Sequence, residues 1–284
     1  RCGSRRADCG GHCQTTMSGN VRRNRLSDFR NVRAAGLIAM KLDEGDKLIG
    51  VATCREGDDA LLATRKGRCI RFQLTDETVR VFAGRDSSGV RGIKLLQKDE
   101  VMSLSVLRHV DATMEERAAY IKIANAKRRA GNDEDTETTT DDEAVADVAL
   151  SADRVGEMEL AEEILLTVTD SGFGKRTSAY EYRVTGRGGQ GIANITLAPR
   201  NGKAVVATFP VRTGDDVMLV TDAGRLIRVP GDQVRITGRQ GMGVTLFRVD
   251  SGEHVTSVFP ILDDETDETG APDGVTEEGN DGGK

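Results

Sequence analysis

A glycine followed four residues later by an arginine recurs at Gly19/Arg23, Gly67/Arg71, Gly172/Arg176 and Gly224/Arg228, at intervals of 48, 105 and 52 residues. A period near 50 with one interval doubled restricts the chain to an array of like units, each burying its apolar surface on its neighbours. Apolar stretches precede the last three turns ("ALLAT", "ILLTV", "VMLVT"), and a second glycine stretch follows each turn ("AAGLIAM", "SSGVRGI", "GGQGIAN", "RQGMGVT"). Each unit closes on an apolar run: "LIGVAT", "VMSLSVL", "AVVATFP" and "VTSVFPI". Short β-branched segments bounded by Gly, Asp and Ser are strand and hairpin signals. Each unit therefore reads as one small antiparallel sheet, and the chain as all-β.

The doubled interval falls on residues 109–160. Its first part, "TMEERAAYIKIANAKRR", has helix-forming composition, and an acidic stretch, "NDEDTETTTDDE", follows. An insertion between the second and third units accounts for both, since long surface insertions cost little in closure entropy.

Charge follows the same division. The net charge is −6, yet residues 14–110 carry 18 Lys and Arg against 12 Asp and Glu, and residues 164–260 carry 12 against 8. The acidity lies in residues 131–163, with 13 acidic residues against 1 basic, and in 261–284, with 9 against 1. Segments of high charge and low apolar content cannot bury enough surface to order themselves. The expected organisation is a disordered or non-native-looking N-terminus (1–16), a first pair of units (17–108), a helical and acidic insertion (109–160), a second pair (161–262) and a disordered acidic tail (263–284). The tail, a tethered polyanion beside a basic body, has two readings: it competes with a polyanionic ligand, or it solvates the chain and touches nothing.

No apolar run approaches the roughly 18 residues that span a bilayer, and no signal-peptide pattern opens the chain, so a cytoplasmic protein is expected. Cys2, Cys9 and Cys13 crowd the start with His12 beside them, but no C-x-x-C spacing supports a zinc site, and no metal is expected. His12, His109 and His254 are scattered without a repeated acidic partner, and Tyr120, Tyr180 and Tyr182 fit no nucleophile motif. No catalytic residue is assigned.

Gly186, Gly188 and Gly191 form G-x-G-x-x-G in "YRVTGRGGQGIANI". A dinucleotide site needs a helix directly after such a turn to hold the pyrophosphate. Here "IANITLAP" reads as strand, so the stretch is instead an exposed glycine loop presenting Arg187 and Gln190. Glycines admit close approach of a phosphate, and arginine offers a permanent charge in a planar fork. Arginines repeated over a quasi-symmetric body make an extended basic track.

The stretches "GNVRRNRLSDFRNV", "DALLATRKGRCIRF", "GVRGIKL", "GFGKRTSAYEYRVTGRGGQGI" and "MLVTDAGRLIRVP" resemble the C-terminal domain of the DNA gyrase A subunit. The resemblance implies a propeller-like β-pinwheel of four-stranded blades, about four of them visible here, with double-stranded DNA wrapped over a basic rim. It implies a part in negative supercoiling by a type II topoisomerase. No cofactor belongs to this part; ATP and Mg2+ serve other parts of an A2B2 assembly with the remainder of gyrase A and gyrase B. On this basis Arg22, Arg23, Arg68, Arg71, Arg91, Lys175, Arg176, Arg183, Arg187, Gln190, Arg225, Arg228 and Arg239 are candidate DNA contacts. Gly186, Gly188, Gly189 and Gly191 form a box-like loop, a degenerate version of the family's Q-R-R-G-G-K-G. A topoisomerase IV C-terminal domain, or a β-propeller protein-interaction module, is the alternative; the absence of Trp disfavours WD-type and kelch repeats.

Overall fold

The computed structural model describes residues 10–30, 34–131 and 148–261. Its strands are β1 (Gly11–Thr16), β2 (Asn20–Arg25), β3 (Leu48–Cys54), β4 (Asp59–Thr64), β5 (Arg68–Gln73), β6 (Val90–Arg91), β7 (Val101–Leu107) and β8 (Ile164–Thr169). There follow β9 (Phe173–Ser178), β10 (Ile192–Ala193), β11 (Val205–Val211), β12 (Asp216–Thr221), β13 (Leu226–Pro230), β14 (Val244–Thr245) and β15 (Val255–Ile261). Helices α1 (Met114–Gly131) and α2 (Ala152–Ala161) lie between β7 and β8.

Four sheets result, in the orders β3-β1-β2-β6, β10-β5-β4-β7, β11-β8-β9-β14 and β13-β12-β15. Strands β3, β7, β11 and β15 pack in series along the inner side, so the sheets stand as propeller blades. The first three blades each take their outermost strand from the next unit: Val90 lies opposite Val21, Ile192 opposite Cys69 and Val244 opposite Gly174. This exchange defines a β-pinwheel and explains the second glycine of the second, third and fourth units. Gly191 has φ of 69°, and a Cβ there would lie 2.2 Å from the Cys69 carbonyl oxygen. Only glycine lets the incoming strand approach so closely. Gly191→Ala is expected to lower stability by about 2 kcal/mol or more from the strained backbone and the clash, as read by urea denaturation.

The apolar runs are continuous, not alternating, because an inner blade is covered on both faces. In β4, Ala60 and Leu62 enter the core against the first blade, while Leu61 and Ala63 enter the core against the third. In β12 only one face is covered: Val217 and Leu219 join the core with the third blade, and the strand alternates between buried and half-buried residues.

Residues 10–16 depart from the expectation of an N-terminal coil. Strand β1 is central in its blade, paired with both β2 and β3. Its sequence, GHCQTT, hides the strand because polar residues are buried there, only some of whose side-chain atoms bond locally. Gln14 Nε2 meets His12 Nε2 at 2.5 Å, and Thr15 Oγ1 donates to the Asn20 carbonyl at 3.0 Å. Cys13 is fully buried in the core, and burial pushes its thiol well above the usual range. Cys2 and Cys9 lie outside the described residues, as do the acidic stretch of the insertion at 132–147 and the tail at 263–284. No group of three metal-ligating side chains occurs among the described residues, and no described helix is long and apolar enough to cross a membrane.

The insertion docks on the third blade. Tyr120 of α1 packs edge-on against Tyr180 at 5.1 Å, and Tyr180 Oη donates to the Met158 carbonyl of α2 at 2.9 Å. Ser151 caps α2 by accepting from the Arg154 amide. Tyr182 is buried and donates to Asn194 Oδ1 at 2.7 Å.

Candidate nucleic-acid interface

The recurring arginine after each glycine turn is an internal anchor in the first three blades, which corrects its assignment to a basic rim. Arg23 is 2% exposed; it pairs with Glu56 and Asp76 and donates to the Val79 carbonyl at 2.9 Å. Arg71, 3% exposed, donates to Asp59 at 2.9 Å and to the Ala179 carbonyl at 2.6 Å. His109 Nδ1 also meets Asp59, at 2.9 Å. Arg176 donates to the Val234 carbonyl at 2.5 Å and pairs with Asp232. Each of these carbonyls belongs to the following unit, so the arginine ties one blade to the segment exchanged into it. A guanidinium desolvated by such partners is not free to meet a phosphate.

The residue before that arginine performs a second fastening. Buried Arg22 donates to the Ser87 carbonyl at 2.6 Å, and Lys175, fully buried, donates to the Gly238 carbonyl at 2.8 Å and to that of Arg239. Arg22 and Lys175 therefore also leave the set of candidate DNA contacts. Burial pushes the Lys175 ammonium down to about 7. Between pH 7 and the unfolded value near 10.4, the unfolded chain holds a proton that the folded chain has shed, so stability rises with pH across that window. The slope contributed is at most about 1.4 kcal/mol per pH unit. Lys175→Met is expected to flatten it, checked by denaturation midpoints from pH 7 to 10.

Ile70 occupies the corresponding place in the second blade, under the box-like loop. Without a buried cation a cleft of about 210 Å³ remains there, lined by Ile70, Arg183, Gln190 and the loop glycines. The loop is held from outside. Arg68 donates to the Gln190 and Gly191 carbonyls at 3.0 and 2.7 Å, and Arg187 donates to the carbonyls of Thr78 and, at 3.1 Å, Arg91. Gly186, Arg187, Gly189 and Gln190 are exposed, and Gly188 is half-buried with φ of 81°. After Gly191 the chain enters β10, not a helix, which removes the dinucleotide reading.

Among the remaining candidates, Arg91 on β6 and Arg183 are exposed. Arg228 is exposed and pairs with Asp216; Arg225 pairs with Glu253 and lies 4.7 Å from the Phe247 ring centroid; half-buried Arg239 donates to the Ala193 carbonyl.

The exposed repeated cation is a different one. Arg30, Arg80, Arg183 and Arg235 recur in "FRN", "VRV", "YRV" and "VRI"; the first three are exposed and Arg235 is half-buried. Three of them adjoin the isolated bridges Arg23–Val81, Arg71–Val184 and Arg176–Ile236, which places them in the segment that crosses to the outer edge of the preceding blade. Lys41, Lys94 and Arg248 recur five residues after the second glycine and are also exposed. Sequence reasoning picked out Arg183 alone of these two series, although an arginine beside an apolar or aromatic residue in all four units carries the signal of the first.

Strand-exchanged blades with cations recurring along their outer crossings define a β-pinwheel with a cation-lined rim. A family model described as "DNA gyrase C-terminal domain, beta-propeller" matches residues 15–55, 58–108, 163–210 and 215–261, leaving the helical insertion unmatched. The chain belongs to this family, the C-terminal domain of DNA gyrase A. The DNA gyrase A subunit of Granulibacter bethesdensis is 68% identical over 283 residues, 94% of this chain and 30% of the relative. That of Rickettsia bellii is 44% identical over 93% of this chain and 29% of the relative. The chain thus spans under a third of these relatives. A solved DNA gyrase A C-terminal domain superposes with a TM-score of 0.63 at 20% identity, covering 90% of this chain and 67% of that one. A DNA topoisomerase IV C-terminal domain gives 0.65 at 15%, covering 91% and 64%; both show the same fold.

Proposed function

We propose that this chain is the DNA-wrapping part of gyrase A, binding duplex DNA along its outer edge through phosphates and without base readout. The single observation that carries the reading is the exposed arginine at Arg80 and Arg183, in the segments where the second and third units cross to the outer edge of the preceding blade, with exposed Arg30 at the corresponding place in the first unit's sequence. Arg91, Arg187, Gln190, Lys94 and Arg248 extend that track. Charges recurring at blade spacing on a curved body attract a polyanion along its length and bend it. Bending is then repaid by contacts from the next blade. Wrapping of one hand biases strand passage toward negative supercoils in a cytoplasmic A2B2 enzyme with gyrase B, where cleavage, ATP and Mg2+ belong to other parts.

The test is topological. Relaxed closed-circular plasmid, incubated with this chain and a nicking-closing topoisomerase, is expected to retain linking-number changes of one sign that grow with protein. Binding without any linking change leaves a DNA-binding module that does not wrap; the absence of duplex binding at low salt overturns the reading altogether.

A further inference from the structure

The insertion builds a groove that the repeats alone do not have. Residues 109–162 lie outside the matched repeats. Where they meet the blades, a groove of about 480 Å³ remains, lined from the insertion by Val110, Met114, Arg117 and Ile121 and from the blades by Tyr180 and Arg183. That volume is of the size that takes a small organic ligand.

One part of the groove is a buried cluster whose charges do not balance. Arg117 is 8% exposed. Its Nε donates to the Ala112 carbonyl at 3.2 Å and its Nη2 to the Val110 carbonyl at 3.0 Å. Nη1 has no partner among the described residues, and no carboxylate pairs with the group there. The buried carboxylate nearby, Asp59, is already taken by Arg71 and by His109 Nδ1. Burial first, and then the like charge of Arg71, hold the Arg117 guanidinium below its usual range. Two buried guanidiniums thus share one carboxylate, and a desolvated charge without a counter-charge is costly. The cluster is short of an anion. Arg183 adds a second guanidinium to the groove, exposed and without a hydrogen-bond or ion-pair partner among the described residues. His109 lines the groove as well, and its Nε2 is left over from the bond to Asp59.

The remaining lining sorts the anions that could enter. Val110, Met114, Ile121 and Ile192 supply an aliphatic wall beside the Tyr180 ring. Exposed Asp111 and half-buried Glu181 line the groove too; Glu181 accepts the Arg239 amide at 2.5 Å, and Arg239 donates to the Ala193 carbonyl. Carboxylates here repel a polyanion but accept from a neutral hydroxyl. Arg117 also lies too deep for the backbone of a duplex to reach.

We propose that this groove binds a nucleoside monophosphate, with the phosphate held by Arg117 and Arg183, a sugar hydroxyl donating to Asp111 and the base lying on the aliphatic wall. Planar guanidinium forks match phosphate oxygens, and two of them with a spare imidazole nitrogen suit one phosphate group better than a chain of them. The site stands independently of DNA wrapping, since α1 belongs to none of the repeats.

Adenosine 5′-monophosphate titrated into the isotope-labelled chain is expected to shift the amides of residues 110–118 and 183–184. Adenosine and inorganic phosphate should each bind at least about ten-fold more weakly, because each makes only part of the contacts. Arg117→Gln should weaken the nucleotide by at least about ten-fold through loss of the charge-assisted bonds. Half-buried Ala118 lines the groove from α1 and makes no side-chain bond, so Ala118→Phe should block the nucleotide while duplex binding at low salt stays as in the parent. Circular dichroism checks the fold of both variants, and Ala118→Phe decides alone if Arg117→Gln unfolds. Absence of shifts at millimolar nucleotide, or shifts that survive Ala118→Phe, overturns the proposal. Inorganic phosphate binding as tightly as the nucleotide would leave an anion hole without nucleotide recognition and equally overturn it.

Discussion

Replacing Arg71 with alanine is expected to lower the stability of the fold by about 3–5 kcal/mol, the range for breaking a buried ion pair from one side. Asp59 is wholly buried and would keep only the hydrogen bond to His109 Nδ1, so a carboxylate would stand in the interior without its guanidinium partner. The Ala179 carbonyl would keep only the Tyr182 amide, and the tie between the second blade and the turn that carries Tyr180 and the insertion would be lost. Arg71→Lys should recover only part of the loss, since an ammonium cannot span Asp59 and Ala179 with a planar fork. The measurement is the urea midpoint and slope of each variant. A loss under about 1 kcal/mol for Arg71→Ala would mean that water reaches Asp59 and that the anchor is not a closed site.

The same residue shows what the sequence carried and what it did not. The glycine-to-arginine spacing fixed the unit and its period, because a left-handed turn and a charged residue four positions on are both visible as letters. Whether that charge faces solvent is not visible, because it depends on which carbonyls the following unit brings within reach, 56 to 108 residues later. Val79, Ala179 and Val234 are those partners, and nothing in their identities marks a carbonyl acceptor. Strand exchange was hidden for a related reason: Val90-Arg91 is too short to register as a strand, and "IANITLAP", which does read as strand, carries no mark of the preceding unit's edge that Ile192-Ala193 joins. Strand β1 was hidden because its central position buries polar residues, His12, Gln14, Thr15 and Thr16, that give no apolar run to read. By contrast, the apolar runs of β4 and β8 were legible, since burial on both faces leaves no alternation to misread.

Removing Arg30, Arg80 and Arg183 together, each to glutamine, is expected to weaken duplex binding steeply while leaving the fold intact. All three are exposed, and Arg80 lies 4.8 Å from the Phe82 ring centroid, a surface stacking interaction of about 0.5–1 kcal/mol. Stability should therefore change by no more than about 1 kcal/mol, in contrast to the single Arg71→Ala change. For DNA, each phosphate contact that disappears takes about 0.9 from the slope of log affinity against log salt. The triple variant should flatten that slope by about 2.7, with the largest drop in affinity at low salt and convergence of variant and parent at high salt. Mismatched and random duplexes should be affected alike, since phosphate contacts hold the register and carry no base information. A parallel salt dependence in parent and variant would place the DNA path elsewhere on the molecule. Weakening confined to one duplex sequence would show base readout, which a rim built from one arginine per blade is not arranged to perform.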